Sequence, residues 1–306
     1  MDYLKEEEVK LIEDMAYEIR RLSIEMISNS QWGHIGGSLS LAEILSVLYF
    51  KVLRVNMEQP KSEDRDYFIL SKAHSSPALY SALTLKGFIT IDRLYTYCRI
   101  GGLDGHLDML NTPELEVSGG SLGLGLSYSV GIAYALQLKE KFHHRVYCVI
   151  GDGELSEGQI WEAAMSASHY KLYNLIIIID YNKIMAKGFV SNEMSQEPLT
   201  DRWRSFGWNV IEVDGHDVKE FYQSFYRAKY IGVNGKPTCI IAHTVKGRGI
   251  EECEFNYKWH THAPSVEETK VFLKELATRY NKPLKEFKMC NDSPKGTLMS
   301  VIGGEK

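Results

Sequence analysis

The sequence predicts an α/β fold, in which a doubly wound, mostly parallel sheet carries helices on both faces. Two uninterrupted apolar runs, residues 146–150 and 175–179, are typical of strands buried on both faces of such a sheet. The segment between them, residues 160–170, has helix-forming residues and neither glycine nor proline, so the three pieces form one strand-helix-strand unit. Strand-like and helix-like segments alternate along most of the chain, which favours a parallel sheet.

The other elements are assigned from periodicity and from helix-start patterns. Residues 5–28 place apolar side chains at alternating spacings of three and four, which predicts an amphipathic helix. Ser40 and Glu43 have the spacing of a capping box, so a second helix is predicted to begin after Ser40. The further predicted elements are strands at residues 66–70, 208–213 and 238–242 and helices at 77–85 and 218–230.

Composition and charge restrict the class of protein. The 306 residues are 44% hydrophobic and 25% charged, which is ordinary for a globular protein. The net charge of -5 and the dispersed Lys and Arg residues argue against nucleic acid as a partner. Five cysteines without Cys-x2-Cys spacing indicate neither a disulfide framework nor a zinc site. No apolar run reaches membrane-spanning length, so we expect no membrane partner and a cytoplasmic location.

Polar residues follow the two apolar runs where each strand should end. Asp152 lies in the sequence Gly151-Asp152-Gly153-Glu154 after the first run, and Asn182 follows the second. The carboxyl ends of adjacent parallel strands lie about 5 Å apart at one edge of a sheet. A carboxylate and an amide oxygen there suit Mg2+, which fills its other octahedral positions with water and phosphate oxygens. Free N–H groups and a helix N-terminus would offset further phosphate charge, so the motif predicts a metal-bridged diphosphate.

Simpler and competing interpretations of this motif are available. Gly-Asp-Gly alone is a turn more often than a binding site, and asparagine after a strand is ordinary turn chemistry. The combination of spacing, order and flanking strands favours the cation. Two other phosphate-binding motifs are excluded, because the chain has no Gly-x4-Gly-Lys-Ser/Thr sequence and no glycine three residues after Gly153, as a dinucleotide-binding fingerprint requires.

The chain resembles the transketolases, which use thiamine diphosphate with Mg2+. Gly-Asp-Gly and, about thirty residues later, Asn form the signature of that cofactor, and residues 151–163 (GDGELSEGQIWEA) are similar to the transketolase form of it. The resemblance runs from about Ser30 to Pro264. Its other segments are Trp32-Gly33-His34-Ile35-Gly36-Gly37, Leu70-Ser71-Lys72-Ala73-His74, Gly105-His106 and Ser118-Gly119-Gly120-Ser121-Leu122-Gly123.

This resemblance implies the thiamine diphosphate-binding fold and a division of the chain. Residues 1–264 would form the diphosphate-binding domain, and residues 265–306 would form a helical or irregular carboxy-terminal extension. Too few residues follow Pro264 for another α/β domain. In transketolases such a domain binds the aminopyrimidine of the cofactor and supplies the glutamate that activates it.

The resemblance assigns roles to four of the ten histidines. His34, His106 and His260 would move protons or position sugar hydroxyls, and His74 and His260 would line the cofactor. Histidine suits both tasks because its pKa lies near neutrality. His262 remains an alternative to His260, because the family has glycine after its histidine and this chain has Thr261 there.

The resemblance also implies the metal and cofactor ligands. Mg2+ would be bound by Asp152, Asn182 and the backbone carbonyl of Ile184. The remaining residues expected to contact thiamine diphosphate are Gly120, Ser121, Leu122, Gly151, Gly153 and Glu154.

A partner is implied as well. The chain would be the amino-terminal subunit of a split transketolase, active only with a carboxy-terminal, pyrimidine-binding subunit in an α2β2 heterotetramer. Glu157 and Glu162 match glutamates at the family's subunit interface, although such residues are usually solvated helix charges. The expected reaction transfers a two-carbon ketol unit from a ketose phosphate to an aldose. The donor is left open among a pentose phosphate, a branched sugar and a sulfonated sugar.

Two other functions are considered. One is a subunit of another thiamine diphosphate enzyme, 1-deoxyxylulose-phosphate synthase-like or 2-oxo acid dehydrogenase-like, against which the histidine set favours sugar transfer. The other is a non-catalytic subunit that holds the cofactor or scaffolds its partner. Departures from residues frequent in the family give this second alternative slight support, whereas the retained metal ligands argue against it. The departures are Leu124, Ala186, Lys187 and His243.

Overall fold

Five parallel strands lie at the centre of the computed structural model, which describes residues 3–231 and 234–287. The strands are β1 (Tyr67–Leu70), β2 (Val146–Gly151), β3 (Leu175–Tyr181), β4 (Asn209–Asp214) and β5 (Thr238–His243). Their order in the sheet is β1-β2-β3-β5-β4, and neighbouring strands are parallel throughout. The α/β, parallel-sheet prediction is confirmed.

Helices cover both faces of this sheet, as a doubly wound fold requires. They are α1 (Glu6–Ser30), α2 (Ile35–Leu39), α3 (Ala42–Val47), α4 (Ser76–Lys86), α5 (Ile91–Leu94), α6 (Leu124–Leu138), α7 (Gly158–His169), α8 (Val190–Glu193), α9 (Leu199–Ser205), α10 (Val218–Ile231) and α11 (Val266–Arg279). One face packs against α1, α3, α4 and α10, and the other packs against α6, α7 and α9. Among the described helices, none is both long and apolar enough to span a membrane.

The apolar runs of β2 and β3 are buried because both of their faces are covered. Tyr147 and Val149 of β2 enter the core under α1 and α10, whereas Cys148 and Ile150 enter the core under α6 and α7. The two strands are direct neighbours, and Gly151 lies beside Asp180 in their register. The residues that follow β2 and β3 therefore meet at one edge of the sheet.

The predicted capping box at Ser40 and Glu43 is wrong. The N-cap of α3 is Leu41, which has a helical backbone conformation and no side-chain cap. The Ser40 hydroxyl instead donates to the Asp180 carboxylate at 2.8 Å. Glu43 accepts two hydrogen bonds from the guanidinium of Arg20. Both side chains thus bind buried charged groups and do not cap the helix, because leaving such charges unpaired costs more free energy than leaving a helix end uncapped.

The first part of the predicted carboxy-terminal extension packs against the amino-terminal helix. Ser265 caps α11 through a capping box with Glu268. Phe272 and Leu276 of α11 lie in the same buried cluster as Ile24 of α1. The domain boundary between residues 264 and 265 stays a prediction, and residues 288–306 of the extension lie outside the described part of the chain.

Candidate active site

Asp152 and Asn182, the two predicted metal ligands, lie on segments that contact each other after β2 and β3. Oδ1 of Asp152 accepts from the backbone N–H of Gly153 at 2.7 Å, and Oδ2 accepts from the backbone N–H of Lys183. Oδ1 of Asn182 accepts from the backbone N–H of Ile184 at 3.1 Å. Asp152, Asn182 and Ile184 are all buried. The structure thus brings the residues of the proposed ligand set together.

Asp180 is the centre of a buried network that no sequence motif predicted. Its carboxylate accepts from the ammonium of Lys72 at 2.5 Å and from the hydroxyl of Thr244 at 2.5 Å. It also accepts from Ser40 at 2.8 Å and from the amide nitrogen of Asn182 at 2.9 Å. Because Asp180 binds the Asn182 nitrogen, it fixes which amide atom is the oxygen and leaves that oxygen for other partners.

The two neighbouring aspartates have different electrostatic surroundings. Burial raises the pKa of Asp180, but Lys72 and the hydroxyl donors outweigh burial and hold the pKa below its ordinary value. Burial, and then repulsion from Asp180, raise the pKa of Asp152 to about 7, because its backbone donors and Lys72 offset them only in part. Burial thus disfavours the charged form of Asp152, and a divalent cation bound to its carboxylate would favour that form.

Lys246 connects the proposed metal ligands to the histidines. Its Nζ donates to the carbonyl of Ile184 at 2.9 Å and lies 2.8 Å from Nδ1 of His260. Burial, and then the charge of Lys72, lower the pKa of Lys246 to about 8, so that it remains mostly charged at neutral pH. An ammonium only donates, so Nδ1 of His260 accepts and its ring proton is on Nε2.

The four predicted histidines form one cluster. The ring of His34 lies 5.0 Å from that of His74, 6.0 Å from that of His106 and 5.2 Å from that of His260. Burial is the main cause that lowers the pKa of each, to about 4 for His34 and about 3 for His260. Their rings are therefore neutral at neutral pH. His262 instead packs edge-on against Trp259, with ring centres 4.6 Å apart.

One buried nitrogen in this cluster has no partner within the described residues. Nδ1 of His34 is buried, and no described residue donates a hydrogen bond to it or accepts one from it. A buried polar atom without a partner is destabilising. This atom is therefore available to a bound molecule.

Glu154 holds the turn after β2 against two other segments. Its carboxylate accepts from the backbone N–H of Gly151 at 3.0 Å, from that of Gly123 at 2.8 Å and from the Ser71 hydroxyl at 2.5 Å. Gly123 has a φ of 89°, a left-handed conformation that favours glycine. The adjoining residues Gly120 and Ser121 are exposed and Leu122 is half-buried. Contact of these residues with a cofactor stays a prediction.

Glu157 and Glu162, predicted at a subunit interface, are both exposed. Glu157 precedes α7 and Glu162 lies within it. Helices α6 and α7 expose large apolar side chains, and we call these side chains together the α6–α7 face. Its exposed members are Tyr128, Tyr134, Leu138, Met165 and Tyr170.

The residues that depart from the family lie around the ligand set and not within it. Ala186 and Lys187 are exposed in a turn that follows Ile184. His243 lies 3.0 Å from Glu212 at the end of β5 and is outside the histidine cluster. Leu124 is the first residue of α6.

The residues present fit Mg2+ and a diphosphate. A carboxylate, an amide oxygen and a carbonyl are the hard oxygen ligands that Mg2+ prefers. The described residues contain no cluster of three or more His, Cys, Asp or Glu side chains that could hold a metal. A cation at this edge would consequently depend on the oxygens of Asn182 and Ile184 as well as on Asp152. Lys72 and Lys246 would add positive charge for the phosphates.

Comparisons with known proteins agree with this geometry. A family model described as the thiamine diphosphate binding domain of transketolase matches residues 12–297. The 6-deoxy-6-sulfo-D-fructose transketolase subunit SqwG of Clostridium sp. (strain MSTE9) is 40% identical over 274 residues, covering 89% of this chain and 98% of the relative. An apulose-4-phosphate transketolase subunit of Phocaeicola vulgatus is 39% identical over 280 residues, covering 91% and 98%.

Longer relatives match over part of their length. Human transketolase is 39% identical over 261 residues, covering 84% of this chain and 41% of the human protein. The solved structure of transketolase from Leishmania mexicana has a TM-score of 0.84 at 29% identity, covering 92% of this chain and 43% of that one. This chain therefore spans nearly all of the two subunit relatives and less than half of the longer transketolases.

Proposed function

This chain belongs to the transketolase family, and we propose that it is the diphosphate-binding subunit of a two-subunit transketolase. With its partner it transfers a two-carbon ketol unit from a ketose phosphate to an aldose, using Mg2+ and thiamine diphosphate. The observation that carries the proposal is the buried edge formed by Asp152, Asn182 and Ile184, where burial raises the pKa of the Asp152 carboxyl to about 7. The family match favours this function over other thiamine diphosphate enzymes.

The residues of this edge would bind the cofactor at its diphosphate end. Asp152, Asn182 and the Ile184 carbonyl would hold Mg2+, and Lys72 and Lys246 would offset phosphate charge. When bound, thiamine diphosphate supplies a carbon centre that accepts and stabilises the transferred unit as an electron sink. Its activation requires the pyrimidine-binding half, which we assign to the partner.

The histidine cluster would form hydrogen bonds and exchange protons with the hydroxyl groups of the substrate. Its rings are neutral near pH 7, so each can donate one hydrogen bond and accept another. Lys246 leaves the proton of His260 on Nε2, which makes that atom a donor to a substrate oxygen. Nδ1 of His34, which no described residue contacts by a hydrogen bond, can exchange a proton with a hydroxyl that reaches it. His106 is the third member assigned to the sugar.

We also propose where the partner docks. The α6–α7 face exposes Leu138 to 68% and Met165 to 55%, and the exposed Glu157 and Glu162 belong to the N-cap and the interior of α7. Large exposed apolar residues grouped on one face are typical of a protein interface. We place the carboxy-terminal partner and the second copy of this chain around this face, in an α2β2 heterotetramer in the cytoplasm.

The donor sugar is proposed by class. The two subunit relatives are named for 6-deoxy-6-sulfo-D-fructose and for apulose-4-phosphate. We propose a ketose that carries a terminal anionic group, phosphate or sulfonate. A donor panel should therefore include a pentose phosphate, a branched ketose phosphate and a sulfonated ketose.

Co-expression with the protein encoded by the adjacent gene tests the function. We expect the two chains to co-purify and to transfer two-carbon units, whereas this chain alone is inactive. Asp152→Ala should abolish the Mg2+-dependent binding of thiamine diphosphate in calorimetry. Activity of the isolated chain would refute the half-enzyme, and cofactor binding that persists in Asp152→Ala or in EDTA would refute the metal site.

A further inference from the structure

A buried chain of hydrogen bonds runs from α1 to the loop after β5, outside the cluster described above. Arg20 donates to both carboxylate oxygens of Glu43, at 2.7 and 2.5 Å. Oε2 of Glu43 lies 2.9 Å from Nδ1 of His216, and Nε2 of His216 lies 2.9 Å from the backbone nitrogen of Val245. Arg20 and Glu43 are buried, and the His216 side chain is 10% exposed.

The donors and acceptors of these hydrogen bonds determine the tautomer of His216. The backbone N–H of Val245 can only donate, so Nε2 of His216 accepts. The ring proton then lies on Nδ1, where it is donated to Glu43. Glu43 is itself fixed by two bonds from Arg20. Glu43 therefore holds His216 in the orientation in which Nε2 accepts the hydrogen bond from the loop after β5.

Val245 immediately precedes Lys246, whose ammonium contacts Ile184 and His260. The flanking backbone is also held, because Thr244 N–H donates to the Tyr181 carbonyl at 3.2 Å and Gly247 N–H donates to the Gly36 carbonyl at 3.0 Å. The stem of Lys246 fits closely against Gly36, where an added Cβ would lie 3.1 Å from Cγ and Cε of the lysine. The place of the ammonium thus depends on the place of the backbone at Val245.

The same ion pair reaches the segment that carries His34. Nε of Arg20 donates to the carbonyl of Leu39 at 3.2 Å, at the end of α2. His34 is the N-cap residue of that short helix. The Arg20–Glu43 pair consequently supports both the His34 helix and, through His216, the Lys246 loop.

We propose that His216 is a positioning residue for the cofactor site. By accepting the Val245 N–H, it holds Lys246 between the Ile184 carbonyl and Nδ1 of His260, and in this way sets the affinity for the diphosphate. The inference rests on the proposed function, because it presumes that this edge binds thiamine diphosphate. Loss of the acceptor should free the backbone at Val245, between the hydrogen bonds at Thr244 and Gly247, and weaken binding by about 10–100-fold, as for other groups that orient ligand-binding residues.

Two amides of different reach provide a matched pair of variants. In His216→Asn the side chain can still bond to Glu43 but is too short to reach Val245, whereas in His216→Gln an acceptor reaches the position of Nε2. In the co-purified complex, calorimetry with thiamine diphosphate and excess Mg2+ should show the loss of about 10–100-fold for Asn and near wild-type affinity for Gln. A merely structural role would predict no such rescue.

A double-mutant cycle separates positioning from general damage. If His216 acts through Lys246, then His216→Asn should cause no further loss of affinity in a Lys246→Met background. His144→Ala is the control, because His144 is also buried and bonds to the Glu63 backbone at 2.9 Å, far from this loop. It should leave the affinity unchanged.

The outcomes that overturn the proposal are distinct from failure of the proposed function. Wild-type affinity in His216→Asn, or an undiminished loss in the Lys246→Met background, contradicts positioning by His216. If the wild-type complex binds no Mg2+ and thiamine diphosphate, the proposed function itself fails, and with it the premise of this inference.

Discussion

The two ends of the sheet bury acidic residues in opposite electrostatic situations. At the amino end, Asp66 precedes β1 and is 3% exposed. Its carboxylate accepts from the Arg54 guanidinium at 3.1 Å and from the backbone N–H groups of Arg54 and Arg145 at 3.1 and 2.9 Å. At the carboxyl end, Asp152 and Asp180 lie near each other, and the pKa of Asp152 is raised to about 7. Asp66 and Asp180 are matched by their donors, whereas the donors of Asp152 offset its burial only in part.

This difference separates stability from binding. A carboxylate with a full set of hydrogen-bond donors stabilises the folded state and gains little free energy from binding a ligand. A carboxylate that its surroundings leave under-compensated gains most from an added cation. In parallel α/β sheets ligands bind at the carboxyl ends of the strands, and here Lys72, Lys246 and the histidine cluster also converge there. Mutations at either end of the sheet test this difference.

The largest loss of stability is expected for Asp180→Asn. It leaves the buried ammonium of Lys72 without its carboxylate, and breaking a buried pair in this way costs about 3–5 kcal/mol. Denaturant unfolding of the chain measures it. Asp201→Asn, at an exposed position of α9, is the control and should change stability by less than about 0.5 kcal/mol. A similar small change in Asp180→Asn would show that the network is not a folding element.

Glu43 is a buried carboxylate with charged and hydrogen-bonding partners, and it should make the stability of the protein depend on pH. Burial raises its pKa, but Arg20 and His216 outweigh burial and hold it well below the ordinary value of 4.5. A depressed folded-state pKa contributes stability above the unfolded value, and that contribution is lost as the pH falls toward the folded value. Glu43→Gln should therefore be less stable than wild type by about 3 kcal/mol at neutral pH.

The difference between the two proteins should be constant down to about pH 4.5 and shrink below it. Unfolding curves at several pH values from about 7 to about 3 provide the measurement. A difference that stays constant to the lowest pH would mean that the charge of Glu43 contributes nothing.

Asp66→Asn should cost less than either of these changes. Arg54 is 46% exposed at its side chain, so water can replace the lost carboxylate. The two backbone donors lose a charged acceptor, which costs about 1–3 kcal/mol. Thermal and denaturant unfolding measure the loss, and cofactor affinity should not change. A loss of affinity in this variant would contradict the separation between the two ends of the sheet.

The fold and the position of the site follow from sequence for a simple physical reason. Residues 146–150 and 175–179 are apolar at every position, so burial on both faces is dictated locally. The order of parallel strands then brings Asp152 and Asn182 to one edge. The network beneath them was not predictable in the same way, because Ser40, Lys72 and Thr244 come together only through the tertiary fold.

One residue of this buried network could have been identified from the sequence. Asp180 interrupts the apolar run at the end of β3, where a buried carboxylate is unusual unless it is paired. The capping box predicted at Ser40 is wrong because a local sequence pattern contains no information about distant partners. Ser40 binds Asp180 and Glu43 binds Arg20 in the folded chain. Local patterns therefore located the site, and long-range charge pairing determined its inner structure.

The most direct test compares stabilisation by Mg2+ and thiamine diphosphate in the co-purified complex of the wild type, Asp152→Asn and Asp66→Asn. At a cofactor concentration of about 100 times Kd, binding should stabilise the wild type by about 2.7 kcal/mol. We predict the same rise in melting temperature for Asp66→Asn, from a lower starting value, and no rise for Asp152→Asn. A rise that survives in Asp152→Asn, or that is lost in Asp66→Asn, would contradict the claim that the under-compensated acid at the carboxyl end of the sheet is the binding element.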